Sequence, residues 1–204
     1  MINQYEGTMK AIYLVLDMQN DLVNEKGANG QGPLGEQVRS RGILGRTANV
    51  IARARTAGVP IGFVRVGFSA DYSECPLGSP VFGGAPKAGL FKLGAWGTEI
   101  HQDLGARATD IYVVKHRVSP FYSTTLMALL SAMKIERIYC SGVSTQAVVQ
   151  ATVRDAHDRD FDVVVIEDCC AAHSAEEHAN SMGSLARFCK SAQSSDVSFQ
   201  AVGM

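Results

Sequence analysis

Short apolar runs alternate with amphipathic segments along most of the chain. The apolar runs are typical of strands buried on both faces of a parallel sheet. They predict strands at 11–16, 60–66, 111–115, 137–141 and 162–167, with a short last strand at 197–202. Apolar residues at helical spacing predict helices at 43–57, 123–134, 146–159 and 175–190. Strands that alternate with helices in this way predict a three-layer α/β fold with a mostly parallel sheet.

Two stretches, residues 20–38 and residues 67–98, lack these patterns. The first is rich in Gly and Asn and contains Gly30–Gly35, formally a G-x-G-x-x-G match. A dinucleotide-binding fingerprint follows its strand directly, whereas this match lies well beyond the end of the first strand. Pro33 also removes an N–H group from the supposed phosphate cradle. We therefore predict a flexible loop in this stretch and no bound cofactor.

The second stretch is a long connection with several aromatic residues, among them Tyr72 and the only tryptophan, Trp96. Connections of this length within a compact domain are usually either functional or disordered. Aromatic side chains in such a segment favour an ordered pocket wall. We expect residues 67–98 to border a binding site.

The bulk composition narrows the class of protein. With 204 residues, 46% hydrophobic and 19% charged, the chain is typical of one globular domain spanning 1–204. The net charge of −1 gives no electrostatic reason to expect nucleic acid or an anionic membrane as partner. No apolar run approaches the roughly 20 residues that cross a bilayer, and residues 1–10 contain no signal-peptide core. We expect a cytoplasmic protein without nucleic-acid or membrane partners.

The cysteine content also favours a cytoplasmic protein, and the histidine spacing bears on metal binding. The five cysteines include no C-x-x-C pair, and their odd number would leave one thiol unpaired in an oxidising compartment. Reduced thiols in the cytosol are the simpler interpretation. The five histidines are scattered without a compact ligand spacing, so we expect no structural zinc site.

Polar residues stand where three of the predicted strands end. Asp17 follows the first strand, Lys115 ends the third, and residues 142–145 form a hydroxyl-rich corner after the fourth. Ligands of open α/β sheets bind beyond the carboxyl ends of the strands. An ammonium beside the carboxylate would keep it ionised and ready to carry a proton. Taken singly, the carboxylate could cap a loop and the lysine could be a solvated strand end. Together with the corner, they favour a catalytic cleft.

The corner lies within the stretch IYCSGVSTQAVVQATVRDA, residues 138–156, where a strand meets a turn and then a helix. Ser144 and Thr145 are typical N-cap residues, because their side-chain oxygens can accept hydrogen bonds from the first turn. Such a corner directs N–H groups and a positive helix end at one point, which suits an oxyanion. The reactive side chain expected inside the corner is absent.

Three segments in a fixed order carry a family signature. They are TMKAIYLVLDMQNDLV, VVKHRVSPFYSTTL and CSGVSTQAVVQATVRDAHDRDFDVVVIEDCCAA. They resemble the isochorismatase-like hydrolases, or cysteine hydrolases, which include nicotinamidases, carbamoyl-amide hydrolases and isochorismatases. The resemblance runs from about Met9 to about Lys190. It implies a three-layer αβα, Rossmann-like sheet of about six mostly parallel strands, a small-molecule substrate and a homo-oligomer, either a dimer or a tetramer.

The resemblance also implies an Asp–Lys–Cys catalytic triad, of which Asp17 and Lys115 match the first two members. The nucleophile falls on Val148, and a valine can neither attack a carbonyl nor form an acyl intermediate. The backbone N–H groups of Ser144 and Val148 would form the oxyanion hole, with a cis peptide bond between Val143 and Ser144. The usual thiol mechanism of the family is therefore not expected.

Four further residues are expected to shape the substrate site. Phe121 belongs to the K-x-x-x-S-x-F motif, and the resemblance implies that it lines the pocket. We expect Tyr72, Trp96 and Arg117 to contribute to the same site. Trp96 has packing as an alternative role, and Arg117 has that of a solvated charge at a strand end.

The other cysteines and the metal loop of nicotinamidases do not replace the missing nucleophile. Cys140 precedes the corner on a buried strand, and packing is the simpler role for Cys169 and Cys170 after the fifth strand. The metal-binding loop of nicotinamidases has no counterpart in VGFSADYSECP. We therefore expect neither a metal nor a metal-dependent nicotinamidase.

Three functional hypotheses follow. The first is a hydrolase of a small metabolite that works without a cysteine, through Asp17, Lys115 and the corner. Isochorismatases are a precedent, because they have glycine at the nucleophile position and cleave a vinyl ether by acid chemistry. The second is a catalytically silent family member that binds a small ligand or a protein partner. The third is an amidohydrolase that cleaves a C–N bond with a water activated by Asp17.

Overall fold

A computed structural model describes residues 9–199 of the chain, and six strands form one sheet. The strand order is β3-β2-β1-β4-β5-β6, and every neighbouring pair is parallel. The strands are β1 Ala11–Leu16, β2 Ile61–Val66, β3 Ile111–Lys115, β4 Arg137–Gly142, β5 Asp162–Ile166 and β6 Lys190–Ala192. The predicted α/β fold with a parallel six-stranded sheet is confirmed.

Helices cover both faces of the sheet. They are α1 Asn20–Val23, α2 Pro33–Ser40, α3 Ile43–Thr56, α4 Ala85–Ala88, α5 Leu126–Ala132, α6 Gln150–His157 and α7 Ala175–Leu185. On β1, Tyr13 and Val15 join the apolar core under α2 and α3, while Leu14 and Leu16 join the core under α5, α6 and α7. Alternation of side chains along a strand explains this division, and cover on both faces explains why all of β1 is buried. Within residues 9–199, no helix combines the length and the apolarity needed to cross a membrane.

The flexible loop predicted for residues 20–38 is wrong, because this stretch contains α1 and α2. Pro33 begins α2, a position where its missing N–H group leaves no hydrogen bond unmade. Leu34 and Val38 pack from α2 into the core. At Gly35, an added Cβ would lie 1.8 Å from the carbonyl oxygen of Gly30. The glycines thus let two backbone segments touch.

The last predicted strand, 197–202, is also wrong as far as the structure describes it. The sixth strand is Lys190–Ala192, a polar segment that pairs with β5 at the edge of the sheet and therefore shows no apolar run. Residues 197–199 form no strand; the ring of Phe199 instead packs edge-on against Tyr139, with 4.9 Å between centroids. Residues 200–202 lie outside the described part of the chain.

In the strand order, β1 lies beside β4. The helices that follow these two strands pack on opposite faces of the sheet. This switch point is where open α/β sheets bind ligands. The two strands are held in register with Leu16 opposite Gly142. Gly142 has φ +155°, and an added Cβ would lie 2.2 Å from the Leu16 carbonyl oxygen, so only glycine fits at this close approach.

The long connection after β2 is ordered and builds a small apolar core of its own. Its centre is Phe68, whose ring lies 5.7 Å from Phe82, edge to face. The backbone of Phe68 also bridges to Lys92, which closes the segment onto itself. The segment therefore forms a firm wall beside the carboxyl ends of β1 and β2.

Candidate functional site

A buried ion pair lies at the switch point. The Nζ atom of Lys115, the last residue of β3, lies 2.8 Å from the Oδ2 atom of Asp17, which directly follows β1. The lysine also donates to the carbonyl oxygen of Arg117, at 3.2 Å. Asp17 has a left-handed backbone (φ 55°), a conformation that for residues other than glycine is concentrated at functional sites.

Burial controls the protonation of Asp17. Loss of solvent raises the pKa of this carboxyl, and the charge and hydrogen bond of Lys115 lower it by less. The pKa therefore lies above the ordinary value of 3.8, closer to the range in which a group gives and takes protons at neutral pH. The Oδ1 atom is buried and has no hydrogen-bond partner within residues 9–199. One carboxylate oxygen is thus held by the lysine, and the other accepts no hydrogen bond from the described residues.

A cavity of about 670 Å³ opens above this pair. The polar side chains on its lining are Asp17, Lys115, Asn29, Ser144, Gln146 and His173. The rest of the lining is mainly apolar, with contributions from Leu22, Leu34, Phe82, Leu90, Phe91 and Val118. The cavity therefore combines a charged floor with hydrocarbon walls, an arrangement typical of small-molecule sites.

The corner after β4 forms one side of the cavity. The Val143–Ser144 peptide bond is cis, and a single π-helical turn, Thr145–Val149, leads into α6. Val148 is only 2% exposed and lies on the cavity lining together with Ser144. Ser144 occupies the predicted N-cap position, but its side chain makes no cap hydrogen bond. The hydroxyl of Thr145 instead forms a hydrogen bond with the ring of His178.

Two of the residues predicted for the substrate site lie elsewhere. The hydroxyl of Tyr72 donates to the carbonyl oxygen of Leu90 at 2.9 Å, so Tyr72 supports the cavity wall from behind. Trp96 is 45% exposed and borders a separate polar depression with His101 and Lys26. Neither residue belongs to the cavity lining in the described part of the chain.

Phe121 and Arg117, the other two residues predicted for the substrate site, also make their contacts elsewhere. The ring of Phe121 packs against Phe161, 6.3 Å between centroids, and under the guanidinium of Arg159. Arg117 donates to the carbonyl oxygen of Glu74 at 2.9 Å. None of these side chains belongs to the cavity lining in the described part of the chain.

Four of the five cysteines are buried, Cys189 is partly exposed, and none belongs to the cavity lining in the described part of the chain. Cys140 is fully buried on β4, and burial raises the pKa of its thiol far above the ordinary value. Burial also raises the pKa of Cys169 to about 12. Cys170 is fully buried and donates to the carbonyl oxygen of Ile166. These protonated thiols are packing residues and not nucleophiles.

Gln146 and His173 were missed by the sequence analysis. They lie on the cavity lining, and the Nε2 atom of Gln146 is 2.6 Å from the Nδ1 atom of His173. The available signal was their position after the carboxyl ends of β4 and β5, two strands that pair in the sheet. Within residues 9–199, no group of three or more His, Cys, Asp or Glu side chains is arranged to hold a metal ion.

A polar network behind the corner fixes its last residue, Thr145. Thr145 Oγ1 lies 2.8 Å from Nδ1 of His178, and Nε2 of the same ring lies 2.6 Å from Oε1 of Glu167. Arg41 forms an ion pair with that carboxylate at 2.7 Å. Burial raises the pKa of Glu167, but hydrogen bonds from Gln193, His178 and Arg41 outweigh it and lower the pKa to about 2. The network therefore stabilises the corner most when Glu167 is ionised.

Replacing Glu167 by Gln is expected to destabilise the protein in a pH-dependent way. The folded pKa is about 2, against an ordinary value of 4.5, so the carboxylate stabilises the fold above the ordinary pKa. This contribution disappears as pH falls from about 4.5 towards 2. We expect a loss of about 1 kcal/mol at pH 7, because the side chain is partly exposed. Urea unfolding at several pH values measures it, with the exposed Glu99→Gln as matched control. A gap between wild type and variant that stays constant with pH contradicts the prediction.

Comparisons with known proteins find a matching family model and similar curated proteins. An isochorismatase domain model matches residues 11–196. An uncharacterized isochorismatase family protein of Escherichia coli O157:H7 is 36% identical over 143 residues, which cover 70% of this chain and 74% of that protein. A ureidoacrylate amidohydrolase of Methylorubrum extorquens is 30% identical over 189 residues, which cover 85% of this chain and 74% of that protein.

Solved structures share the fold. An isochorismatase family protein from Desulfovibrio vulgaris superposes with a TM-score of 0.81 at 24% identity, covering 92% of this chain and 95% of that one. An N-carbamoylsarcosine amidase from Thermoplasma acidophilum gives 0.74 at 24% identity, covering 93% and 99%. Identities this low show only that the fold is shared.

Proposed function

The chain belongs to the isochorismatase family of hydrolases, and from this premise we propose that it cleaves a C–N bond of a small molecule without a cysteine nucleophile. The observation that carries the proposal is the buried Asp17–Lys115 pair on the floor of the cavity. A charged pair is costly to bury, and this one is placed where a substrate would sit. A carboxyl with a raised pKa beside an ammonium is suited to proton transfer.

In the proposed reaction, Asp17 acts first as base and then as acid. Its carboxylate takes a proton from a water molecule while the water oxygen adds to the carbonyl carbon of the substrate. The proton then passes from Asp17 to the leaving nitrogen, and the C–N bond breaks to give a carboxylic acid and an amine or ammonia. Lys115 keeps the carboxylate available as a base, because its positive charge favours the ionised form.

The corner supplies the electrostatic half of the reaction. As the water adds, negative charge develops on the carbonyl oxygen of the substrate, and backbone N–H groups of Ser144 and Val148 are proposed to stabilise it. Both residues line the cavity. The Val148 side chain, buried and chemically inert, closes the position where a thiol would otherwise stand.

The relatives favour C–N cleavage over vinyl ether cleavage. One is by name a ureidoacrylate amidohydrolase, 30% identical over most of the present chain. This supports an amide or ureido group as the reacting part of the substrate. A second candidate function, ligand binding without turnover, is favoured by one observation: the side chain at the nucleophile position is a valine.

A substrate screen separates these functions. Purified protein is incubated with primary amides, ureido acids, cyclic imides and isochorismate, and products are identified by mass spectrometry and ammonia release. We expect C–N hydrolysis by the wild type and none by Asp17→Asn. Turnover of isochorismate alone would replace C–N by C–O cleavage. Amidase activity that appears only in Val148→Cys would identify the wild type as a silent member.

A further inference from the structure

The cavity offers no free positive charge to a substrate. Its lining contains one lysine and no arginine within residues 9–199. That lysine, Lys115, is already paired with Asp17 at 2.8 Å and is almost fully buried. Arg41, the arginine closest to the corner in the network behind it, is paired with Glu167 and donates to the Cys170 carbonyl oxygen. A substrate carboxylate entering the cavity would therefore lose its hydration without gaining a counter-charge.

His173, the histidine on the lining, does not offer a substrate carboxylate a free counter-charge either. The Nδ1 atom of His173 is occupied by Gln146 at 2.6 Å and lies 3.8 Å from the carboxylate of Glu177. A neighbouring carboxylate thus already faces this half-exposed ring. A substrate carboxylate close to His173 would also be repelled by Glu177.

Two oxygen atoms of the lining residues lack hydrogen-bond donors. The Oδ1 atom of Asp17 and the Oε1 atom of Gln146 are both buried and have no partner in the described part of the chain. Buried acceptors are normally satisfied, so a ligand that fits this cavity is expected to bring N–H or O–H donors. A carboxylate brings only acceptors, whereas a carboxamide or a urea brings N–H donors.

The remaining walls are complementary to a hydrocarbon body. Leucine and phenylalanine side chains from α1, α2 and the connection after β2 face the cavity, among them Leu22, Leu34 and Phe91. A volume of about 670 Å³ leaves room for more than the reacting group. Apolar and aromatic substituents gain most from such walls.

We infer that the substrate is an uncharged primary amide or monosubstituted urea with an apolar substituent, bound through its N–H donors. This inference rests on the proposed C–N hydrolysis, and it specifies which amides are hydrolysed. The ureidoacrylate of the curated relatives carries a carboxylate, so this chain differs from them in substrate charge.

Matched pairs of neutral and anionic substrates test the inference at pH 8. Hexanamide is compared with adipamate, and phenethylurea with N-carbamoyl-phenylalanine, so that each pair differs mainly by a carboxylate. We expect kcat/KM for the neutral member to exceed that for the anion by roughly a hundred-fold. Equal values or a preference for the anion overturn the inference.

Variants at the cavity mouth and at the acceptor sharpen the test. Val81 lines the cavity and is 62% exposed, so Val81→Arg can add a cation without disturbing the core. This variant is expected to lower the ratio of kcat/KM for the neutral substrate to kcat/KM for the anionic one several-fold. The control Val81→Gln is expected to leave this ratio unchanged. Gln146→Met should raise KM for hexanamide about ten-fold and leave inhibition by methyl hexanoate, which has no N–H donor, unchanged. Ratios that do not respond to the added charge contradict the inference.

Binding measurements distinguish failure of this inference from failure of the proposed reaction. The same pairs are titrated into wild-type protein by calorimetry. Tighter binding of the neutral members without turnover would refute the proposed hydrolysis and retain the ligand class. Tighter binding of the anions, or no binding of either member at millimolar concentration, would refute the ligand class itself.

Discussion

Asp17→Asn is expected to lower turnover by at least about a thousand-fold, because an amide of the same shape cannot accept the proton of the attacking water. The chain should remain folded, since the substitution keeps the side-chain volume. Lys115 would lose its counter-charge, so the free energy of unfolding should fall by about 3 kcal/mol. Steady-state kinetics together with circular dichroism and urea unfolding measure both effects. The exposed Asp158→Asn is the matched control. Unchanged kinetics in Asp17→Asn would refute every mechanism in which Asp17 carries the proton.

Lys115→Met is expected to produce the second largest effect, a loss of about a hundred-fold in kcat/KM at pH 7. The ammonium is what lowers the pKa of Asp17 against the effect of burial, so its removal raises that pKa further. Because the base must be ionised, the acidic limb of the pH–rate profile should move to higher pH in this variant. Kinetics from pH 5 to 9 measure the shift. A limb at the wild-type position would show that Lys115 does not tune the carboxyl.

We also expect the stability of Lys115→Met to depend on pH, in a direction that the pKa of Asp17 determines. A buried carboxyl whose folded pKa is raised above 3.8 binds its proton more tightly in the folded state than in the unfolded state. The stability of Lys115→Met should therefore fall as pH rises from about 4 through the raised pKa. The double variant Asp17→Asn, Lys115→Met should recover stability across this range without recovering activity, because no buried charge is left unpaired. Urea unfolding of both variants over the same pH values decides the point.

The fold was predictable where burial dictated residue type. Central strands such as β1 are apolar throughout because helices cover both faces, so their runs are visible in the sequence. The edge strand Lys190–Ala192 is half solvated and polar, and nothing in its composition separates it from a loop. The short helix Pro33–Ser40 was missed because its glycines and proline, which normally indicate a turn, here allow close backbone contact.

The site was predictable to the extent that strand ends fix positions. Asp17 and Lys115 meet because both stand at the carboxyl ends of strands of one parallel sheet, and the order β3-β2-β1 brings them within reach. The directions of Tyr72 and Arg117 depend on how the connection after β2 folds, which no local pattern records. Gln146 was missed for a related reason, since its role depends on its contact with a residue after the neighbouring strand.

The anchoring of the corner has a consequence for engineering. Thr145 is fixed by His178 from behind, and the turn is closed by backbone bonds such as that from Ala147 N to Ser144 O. None of these interactions uses the side chain of Val148, which lies between the cavity and the apolar core under α5, α6 and α7. Side chains close to valine in volume can therefore be exchanged at position 148 on a fixed backbone. Cysteine and threonine there would bring thiol or hydroxyl chemistry to the cavity without a redesign of the corner.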